Sequence, residues 1–299
     1  MACMRIHDID FRLLRLFVTV VQCGGFTQAA NRLNVGRPTI STQMADLESR
    51  LGMRLCERGR SGFSLTEHGE QVYERALGLL AAVDEFGADM DAIQGHLSGE
   101  LNLGQIDYMT SLPEFNMSAT VKEFCTLAPD VVVNLEVLPD EAVQRGVIDG
   151  RLHLGIIGSA SRLPGLDAHD FLSESLYLYC GKEHALFDAT DRSINKQSLA
   201  QCRMAGSSLD ANPIRKSVPT DARANNLEAT LMLILSGQYI GYLPDHFAES
   251  WVGRGELRAL KPRLTHQHNE LPLITRSRAR RSPQLELFLS ILLRMTRFL

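Results

Sequence analysis

The chain has 299 residues, 44% of them hydrophobic and 22% charged, and a formal net charge of −4. That length allows a substantial core and two or three domains, and the charge gives no whole-chain sign of a nucleic-acid binder. The N-terminus MACMRIHDID has no apolar signal segment and no apolar run reaches the length of a membrane span, so a cytoplasmic protein is expected rather than a secreted or membrane one. The cysteines Cys3, Cys23, Cys56, Cys125, Cys180 and Cys202 are scattered without a CxxC. A redox pair of Cys180 with Cys202 competes with buried, inert thiols, and the inert reading is preferred because nothing nearby in sequence would lower a thiol pKa.

The charge is unevenly spread. Residues 1–66 hold nine arginines (Arg5, Arg12, Arg15, Arg32, Arg37, Arg50, Arg54, Arg58, Arg60) against five acids, a net of +4. Arginine's planar fork suits phosphates and guanine edges, so a basic segment on an acidic chain is an electrostatic footprint for DNA. Within it, Asp10 is expected to cap a first helix carrying Leu13, Leu14, Phe17, Val20 and Val21 on one face, ended by Gly24 and Gly25. Thr27 is expected to cap a short second helix with Ala29, Ala30 and Leu33 inward. Val35-Gly36-Arg37 reads as a turn, and Pro38 falls in the first turn of a third helix, where its missing N–H costs nothing.

In that third helix Ile40, Met44, Leu47 and Leu51 make one apolar stripe. The other side offers Pro38, Thr39, Thr42 and Ala45, flanked by Ser41 and Gln43, with no carboxylate in the first two turns. A solvated face on an ordinary three-helix domain is the plain alternative, but a small polar face led by an arginine suits a major groove. Thr27, Gln28, Arg37, Pro38, Thr39, Ser41, Thr42 and Gln43 are therefore candidate DNA contacts. Two short runs around Gly59-Arg60-Ser61-Gly62 read as a wing, with Arg58 and Arg60 along the phosphates.

Thr66 is expected to cap a long helix. Val72, Ala76, Leu79, Val83, Phe86, Met90, Ile93 and Leu97 repeat at four and three, the pattern of a coiled-coil seam. Residues 67–96 carry seven acids against one cation, a net of −6, so this helix is no DNA surface. A dimerisation seam through Val72, Ala76, Leu79, Val83, Phe86 and Met90 is preferred over a long intramolecular core helix.

These pieces in this order resemble the LysR-type transcriptional regulators. The likeness runs from FRLLRLFVTVVQCGGFTQAANRLNVGRPTIS through RLCERGRSGFSLTEHG. It continues, more softly, into LPEFNMSATVKEFCTLAPDVVVNLEV, GVIDGRLHLGII and LILSGQYIGYLPDHFAESWVGRGELRAL. It implies an N-terminal all-α winged helix-turn-helix (1–66), a linker helix (67–97) and an α/β effector domain (98–299) similar to periplasmic binding proteins. The effector domain would have two subdomains, about 98–172 with 270–299, and about 173–269. The implied partners are promoter DNA with inverted-repeat half-sites, a small-molecule effector, a second copy of the chain in a dimer or tetramer, and RNA polymerase. Where the family usually has Ser or Thr, Gln, and Arg or Lys, this chain has Gly36, Arg37 and Thr42, so a cation has moved to the first turn of the recognition helix.

In the remaining two thirds, GELNLGQI, VVVNLEVL, LHLGIIGS and LYLYCGK read as strands between helices, and VVVNLEVL, near-continuously apolar, as a buried parallel strand. Asp107 to Ser111 leads into a helix with Pro113 in its first turn. Ligands of such sheets bind beyond strand ends at helix N-termini, which makes Thr110, Ser111, Ser159, Ser207 and Asn226 candidate effector contacts. The alternative for each is a helix cap with no ligand. Ser282 and Pro283 lead a final helix, LELFLSILLRM, and the loop Arg276, Arg278, Arg280, Arg281 before it reads as solvated or packed on the acidic linker rather than as a DNA contact. No GxSxG, HExxH or Walker loop occurs, and His266 with His268 lacks companions for a metal site, so neither catalysis nor a cofactor or metal is expected. An enzyme carrying a DNA-binding module and a transport solute-binding protein are the competing classes.

Overall fold

The computed structural model describes residues 8–59, 62–93, 96–158, 162–206, 220–277 and 281–297. The chain forms two compact units, one built on Met1–Gln94 and the other on Gly95–Ile148 with Leu152–Leu299. In the first, α1 (Asp8–Gln22), α2 (Phe26–Leu33) and α3 (Arg37–Leu51) precede a hairpin of β1 (Cys56–Gly59) and β2 (Gly62–Leu65) and a long helix, α4 (Glu67–Ile93). Gly24 and Gly25, at φ 71 and 145, break the chain between α1 and α2. Phe17, Ala29, Ile40, Met44, Leu47 and Leu55 are fully buried at the centre of the unit, with Ala76, Leu77 and Leu80 of α4 packed on them.

Two expected caps are corrected. The described part of α1 already includes Asp10, which lies buried within the helix, 3.5 Å from Arg50, and so acts as an internal ion-pair partner rather than a cap. Helix α2 begins at Phe26 with Gly25 as N-cap, which leaves Thr27 one residue inside it. Thr66 does cap α4: its Oγ1 accepts from the Gly69 N–H at 2.9 Å and donates to the Arg54 carbonyl at 2.7 Å.

The second unit holds β3 (Ser98–Gln105), α5 (Met117–Leu127), β4 (Asp130–Val137), α6 (Asp140–Ile148), β5 (Leu154–Ile156), β6 (Leu166–Gly181), α7 (Lys196–Ala200), β7 (Met204–Gly206) and β8 (Thr220–Arg223). Then come α8 (Leu227–Leu235), β9 (Ile240–Pro244), α9 (Asp245–Gly253), β10 (Leu257–Ala259), α10 (Pro262–Thr265), β11 (Gln267–Arg276) and α11 (Pro283–Arg297). Among the described residues the sheet runs β4-β3-β5-β11-β6-β9-β7-β8, with β10 also on β6. Parallel pairs lie at both ends, β3 with β4 and β5, and β7 with β8 and β9; the long antiparallel pair β6–β11 joins them. Strand β6 starts ten residues before the run LYLYCGK suggests, because its first part pairs with β11 and only its last part with β9 and β10.

Each end is covered on both faces. At the first end Leu101, Leu103, Phe124 and Phe288 pack on one side, with the Phe124 and Phe288 rings 5.4 Å apart, and Val143, Val147 and Ile274 on the other. At the second end the alternation of β6 sends Leu178 and Cys180 to one core and Tyr179 to the opposite one. Strand β4 departs from expectation. It is parallel to β3 but lies at the sheet edge, so Val132, Leu135 and Val137 are exposed rather than buried. Pro113 also precedes its helix rather than opening it: residues Met109–Ser111 form a single 3₁₀ turn, and α5 starts later with Asn116 as its cap.

Candidate functional site

The face expected to meet DNA is set by the buried stripe of α3. With Ile40, Met44 and Leu47 wholly inside, geometry turns Arg37, Pro38, Thr39, Thr42 and Ala45 outward, and all five are exposed. Ser41 and Gln43 are half-buried at the flanks, and Thr27 and Gln28 of α2 are exposed. Thr42 Oγ1 donates to the Pro38 carbonyl at 3.0 Å, which leaves its lone pairs as acceptors. Gly36 caps the helix through its backbone alone. In the wing, Arg58 has its backbone in β1 opposite Phe63, and Arg60 lies outside the described residues.

The arginines divide by role. Arg50 is bonded to Asp46 at 3.0 Å and lies 3.5 Å from the buried Asp10, while Arg15 pairs with Asp84 of α4 at 2.6 Å. Those two belong to the internal charge balance of the unit. Arg12, Arg32, Arg37 and Arg54 are exposed. The basic footprint is therefore narrower than the count of nine suggests.

Along α4 the apolar repeat splits in two. Ala76 is buried and Val72 and Leu79 are half-buried in the unit's own core, so these three of the six seam residues serve that core. Further on, Val83, Phe86, Met90 and Ile93 are exposed by 38%, 64%, 37% and 77%, an apolar stripe spaced three, four and three. Leu97 lies beyond the helix and packs on the core of the second unit, which corrects its place in the seam.

In the second unit, Ser111 belongs to a buried polar network that joins the two ends of the sheet. Its hydroxyl donates to the Tyr108 carbonyl at 2.8 Å, and its oxygen lies 2.9 Å from His246 Nδ1 at the start of α9. His246 Nε2 lies 3.0 Å from Glu174 Oε2, on β6. Glu174 Oε1 accepts from the Tyr108 hydroxyl at 3.0 Å and from Asn269 Nδ2, on β11, at 2.8 Å. The Glu174 side chain is fully buried and that of His246 is 6% exposed. Tyr108 sits in the left-handed region at φ 56, a placement costing roughly 1–3 kcal/mol, and its ring stacks on His246 at 6.0 Å. Burial, then the charge of Glu174 and the bond donated to it, hold the Tyr108 phenol well above its ordinary pKa.

Beside it, Asp107 Oδ2 accepts from the Leu227 N–H at 2.8 Å, at the first residue of α8. This carboxylate occupies a helix N-terminus of the other half, where open N–H groups favour an anion. Burial raises the Asp107 pKa, and the N–H groups of Leu227 and Glu228 oppose that rise. Of the other candidates, Thr110 is exposed and Asn226 caps α8 by accepting from the Ala229 N–H. Ser159 and Ser207 lie outside the described residues. Tyr108, Glu174, His246 and Asn269 carry no local sequence signal that marks them as site residues.

Elsewhere, Arg281 bonds His169 at 2.9 Å, and Arg278 and Arg280 fall outside the described residues. Burial pushes the Cys180 thiol up to about 12 and raises that of Cys202, which suits inert thiols. His266 Nε2 lies 3.1 Å from Ser175 Oγ, and no cluster of metal-ligating side chains occurs among the described residues.

Two family models match the chain: "Bacterial regulatory helix-turn-helix protein, lysR family" over residues 11–70, and "LysR substrate binding domain" over residues 94–297. The chain is 38% identical over 289 residues to the HTH-type transcriptional activator BauR of Pseudomonas aeruginosa, covering 95% of each. It is 27% identical over 296 residues to an SDS degradation transcriptional activation protein of a Pseudomonas species, again covering 95% of each. Among solved structures, a full-length OxyR variant from Pseudomonas aeruginosa superposes with a TM-score of 0.65 at 19% identity, covering 98% of this chain and 96% of that one. Full-length CbnR in complex with its target DNA superposes at 0.59 with 22% identity, covering 95% and 99%.

Proposed function

Because this chain belongs to the LysR family of DNA-binding transcription regulators, with a substrate-binding domain behind its helix-turn-helix, we propose that it is an effector-controlled promoter binder working as a dimer or tetramer. Helix α3 enters the major groove, with Arg37, Pro38, Thr39, Ser41, Thr42 and Gln43 toward the bases and Thr27, Gln28, Arg58 and Arg60 toward the backbone. The supporting observation is the exposed face of α3, small, polar and free of carboxylates from Arg37 to Ala45. Arg37, exposed in the first turn, pairs with a guanine or a phosphate at the groove edge.

The exposed stripe Val83, Phe86, Met90 and Ile93 is the seam that pairs two copies, placing their recognition helices one or more helical turns, multiples of about 34 Å, apart on inverted half-sites. The second unit divides into halves, about 98–172 with 270–299 and about 173–269, and the effector seats between them, reaching Ser111. Effector binding shifts the population of regulator states that differ in DNA contact and in contact with RNA polymerase. The protein is cytoplasmic and not an enzyme. No single described helix is long and apolar enough to cross a membrane.

Footprinting of the full-length protein on the DNA upstream of its own gene tests this reading. Protection of paired half-sites at helical spacing is expected at physiological salt. Binding no tighter than to random DNA of equal length would overturn it.

A further inference from the structure

We propose that Tyr108 is a built-in occupant of the effector's seat, and that the effector is a flat compound with an O–H or N–H donor that takes the place of its phenol ring. The proposal rests on reading the junction of the halves as that seat. Tyr108 stands three residues beyond the end of β3, where ligands of parallel strands collect. Its chain neighbours Met109, Leu112 and Phe115 are buried in the apolar core of the first half, and Tyr108 only borders that core. Its ring reaches instead toward the second half. It stacks on His246 at 6.0 Å and lies tilted to Phe247 at 6.1 Å, both on α9. Its hydroxyl donates to Glu174 Oε1 at 3.0 Å, and a Cβ on Gly158 would come within 3.5 Å of the same hydroxyl oxygen.

Two features separate this ring from an ordinary core tyrosine. The first is the backbone. At φ 56 Tyr108 carries a strain that only its contacts offset, and a backbone that relaxes as the ring leaves recovers it. The second is the wall around the hydroxyl. Glu174 is fully buried, accepts from Asn269 Nδ2 at 2.8 Å and lies 3.0 Å from His246 Nε2. Polar groups enclosed this deeply need partners, a need that apolar walls do not have. A tyrosine in a strained turn, with its phenol against a carboxylate and a stacked ring, is held as a ligand is held.

The contacts of the phenol define what can replace it. Its withdrawal removes one donor from a fully buried carboxylate, so a replacement has to bring an O–H or N–H of its own. It has to be flat to cover the His246 and Phe247 rings. A free carboxylate in this place would stand against Glu174 and be repelled, so an acidic compound enters with its charge turned away. The exchange is helped by the strain released at Tyr108. It also carries the signal. Asp107 bonds the Leu227 N–H of α8 and Ser111 meets His246 of α9, so a displaced Tyr108 disturbs a tie to the second half on either side of it.

Tyr108→Gly in the full-length protein tests this, because glycine is at ease at φ 56 and the side chain it lacks has the shape of p-cresol. Calorimetric titration is expected to show p-cresol binding to Tyr108→Gly and not to the parent. Toluene, which has no donor for Glu174, should bind the variant about tenfold more weakly. Absence of p-cresol binding would overturn the proposal, and toluene binding as tightly as p-cresol would overturn its donor requirement. Footprints on the DNA upstream of the gene are then compared. Tyr108→Gly is expected to shift the parent's protection pattern, and p-cresol, but not toluene, to return it. A variant that shares the parent's footprint, or a shifted footprint that p-cresol leaves unchanged, would overturn the built-in occupant and leave the functional reading standing. A parent that protects no specific site would sink the functional reading, and this proposal with it. If Tyr108→Gly does not fold, Tyr108→Phe keeps the ring and loses only the bond to Glu174. It should shift the footprint too, and an unchanged one would refute the proposal.

Discussion

Gly69, in the first turn of α4, offers a sharp test because two physical effects there have opposite signs. By helix propensity alone, Gly69→Ala should stabilise, by about 1 kcal/mol. The structure says otherwise. A Cβ at this position would lie 2.0 Å from the Leu55 carbonyl oxygen and 2.9 Å from its carbon. Both are backbone atoms, so no side chain can swing away. Opening that gap to 3.0 Å requires a shift of about 1 Å between α4 and the strand entry. The carbonyl is already engaged by the Thr66 N–H at 3.0 Å, and Leu55 and Cys56 are both tied to Glu48 through their N–H groups. Overpacking of this kind costs about 1–3 kcal/mol, and weakening the Thr66 cap about 1 more, so the steric term wins. The net expectation for Gly69→Ala is a loss of about 2 kcal/mol in the stability of the winged unit. It should come with weaker operator binding, since Leu55 leads directly into β1. Urea unfolding followed by circular dichroism, alongside a binding titration on the footprinted DNA, measures both. A variant as stable as the parent or more so would show that propensity governs this position and that the contact is relieved at no cost.

Three further outcomes follow from the same structure. Phe86→Ser removes an aromatic ring that is 64% exposed on the unpaired half of α4, so it should loosen self-association at least tenfold by sedimentation while leaving the thermal midpoint at low concentration unchanged; an unaltered dissociation constant would take Phe86 out of the seam. Arg37→Ala should cost about 1–3 kcal/mol of operator affinity and relax preference at the base it meets, and unchanged affinity with unchanged preference would refute a groove contact. His184, whose pKa burial lowers from its ordinary 6.5, accepts the Leu186 N–H at 3.1 Å through Nδ1 and must stay unprotonated there to do so. Its contribution to stability is therefore whole above pH 6.5 and is lost as pH falls through the lowered value. His184→Asn should flatten that acid-side decline in thermal melts, and parallel pH profiles would contradict it.

The winged unit was readable because its signals are local. A stripe at four, three and four, a threonine before an acidic helix start and a glycine pair each act within a few residues of themselves. Its errors have equally local causes. Asp10 stands near the start of an apolar helix, where a carboxylate is usually a cap, yet its partner Arg50 is forty residues on. Leu97 continues the heptad on paper, but the helix ends at Ile93. Likewise VVVNLEVL has the composition of a central strand, while its place at the sheet edge depends on the order of strands drawn from the whole unit.

The polar network lay beyond that kind of reading. Its bonds span 66, 72, 95 and 135 residues of sequence, and Glu174 stands between two serines on an alternating strand, where a carboxylate suggests a face toward water. Looking for hydroxyls after strand ends reached Ser111, but by itself that serine resembles a turn residue bonding its own backbone, which it also is. What distinguishes it is the histidine on its other side. A fully buried carboxylate that accepts three donors behaves as a unit, because withdrawing one donor leaves charge that the remaining two do not satisfy. Residues 107–111 cannot therefore release Tyr108 from Glu174 and leave the rest in place. Tyr108 and Ser111 are three residues apart and are linked through His246 and Glu174, so moving one of them disturbs both contacts of the His246 ring. The network is therefore expected to hold or release as a whole rather than bond by bond.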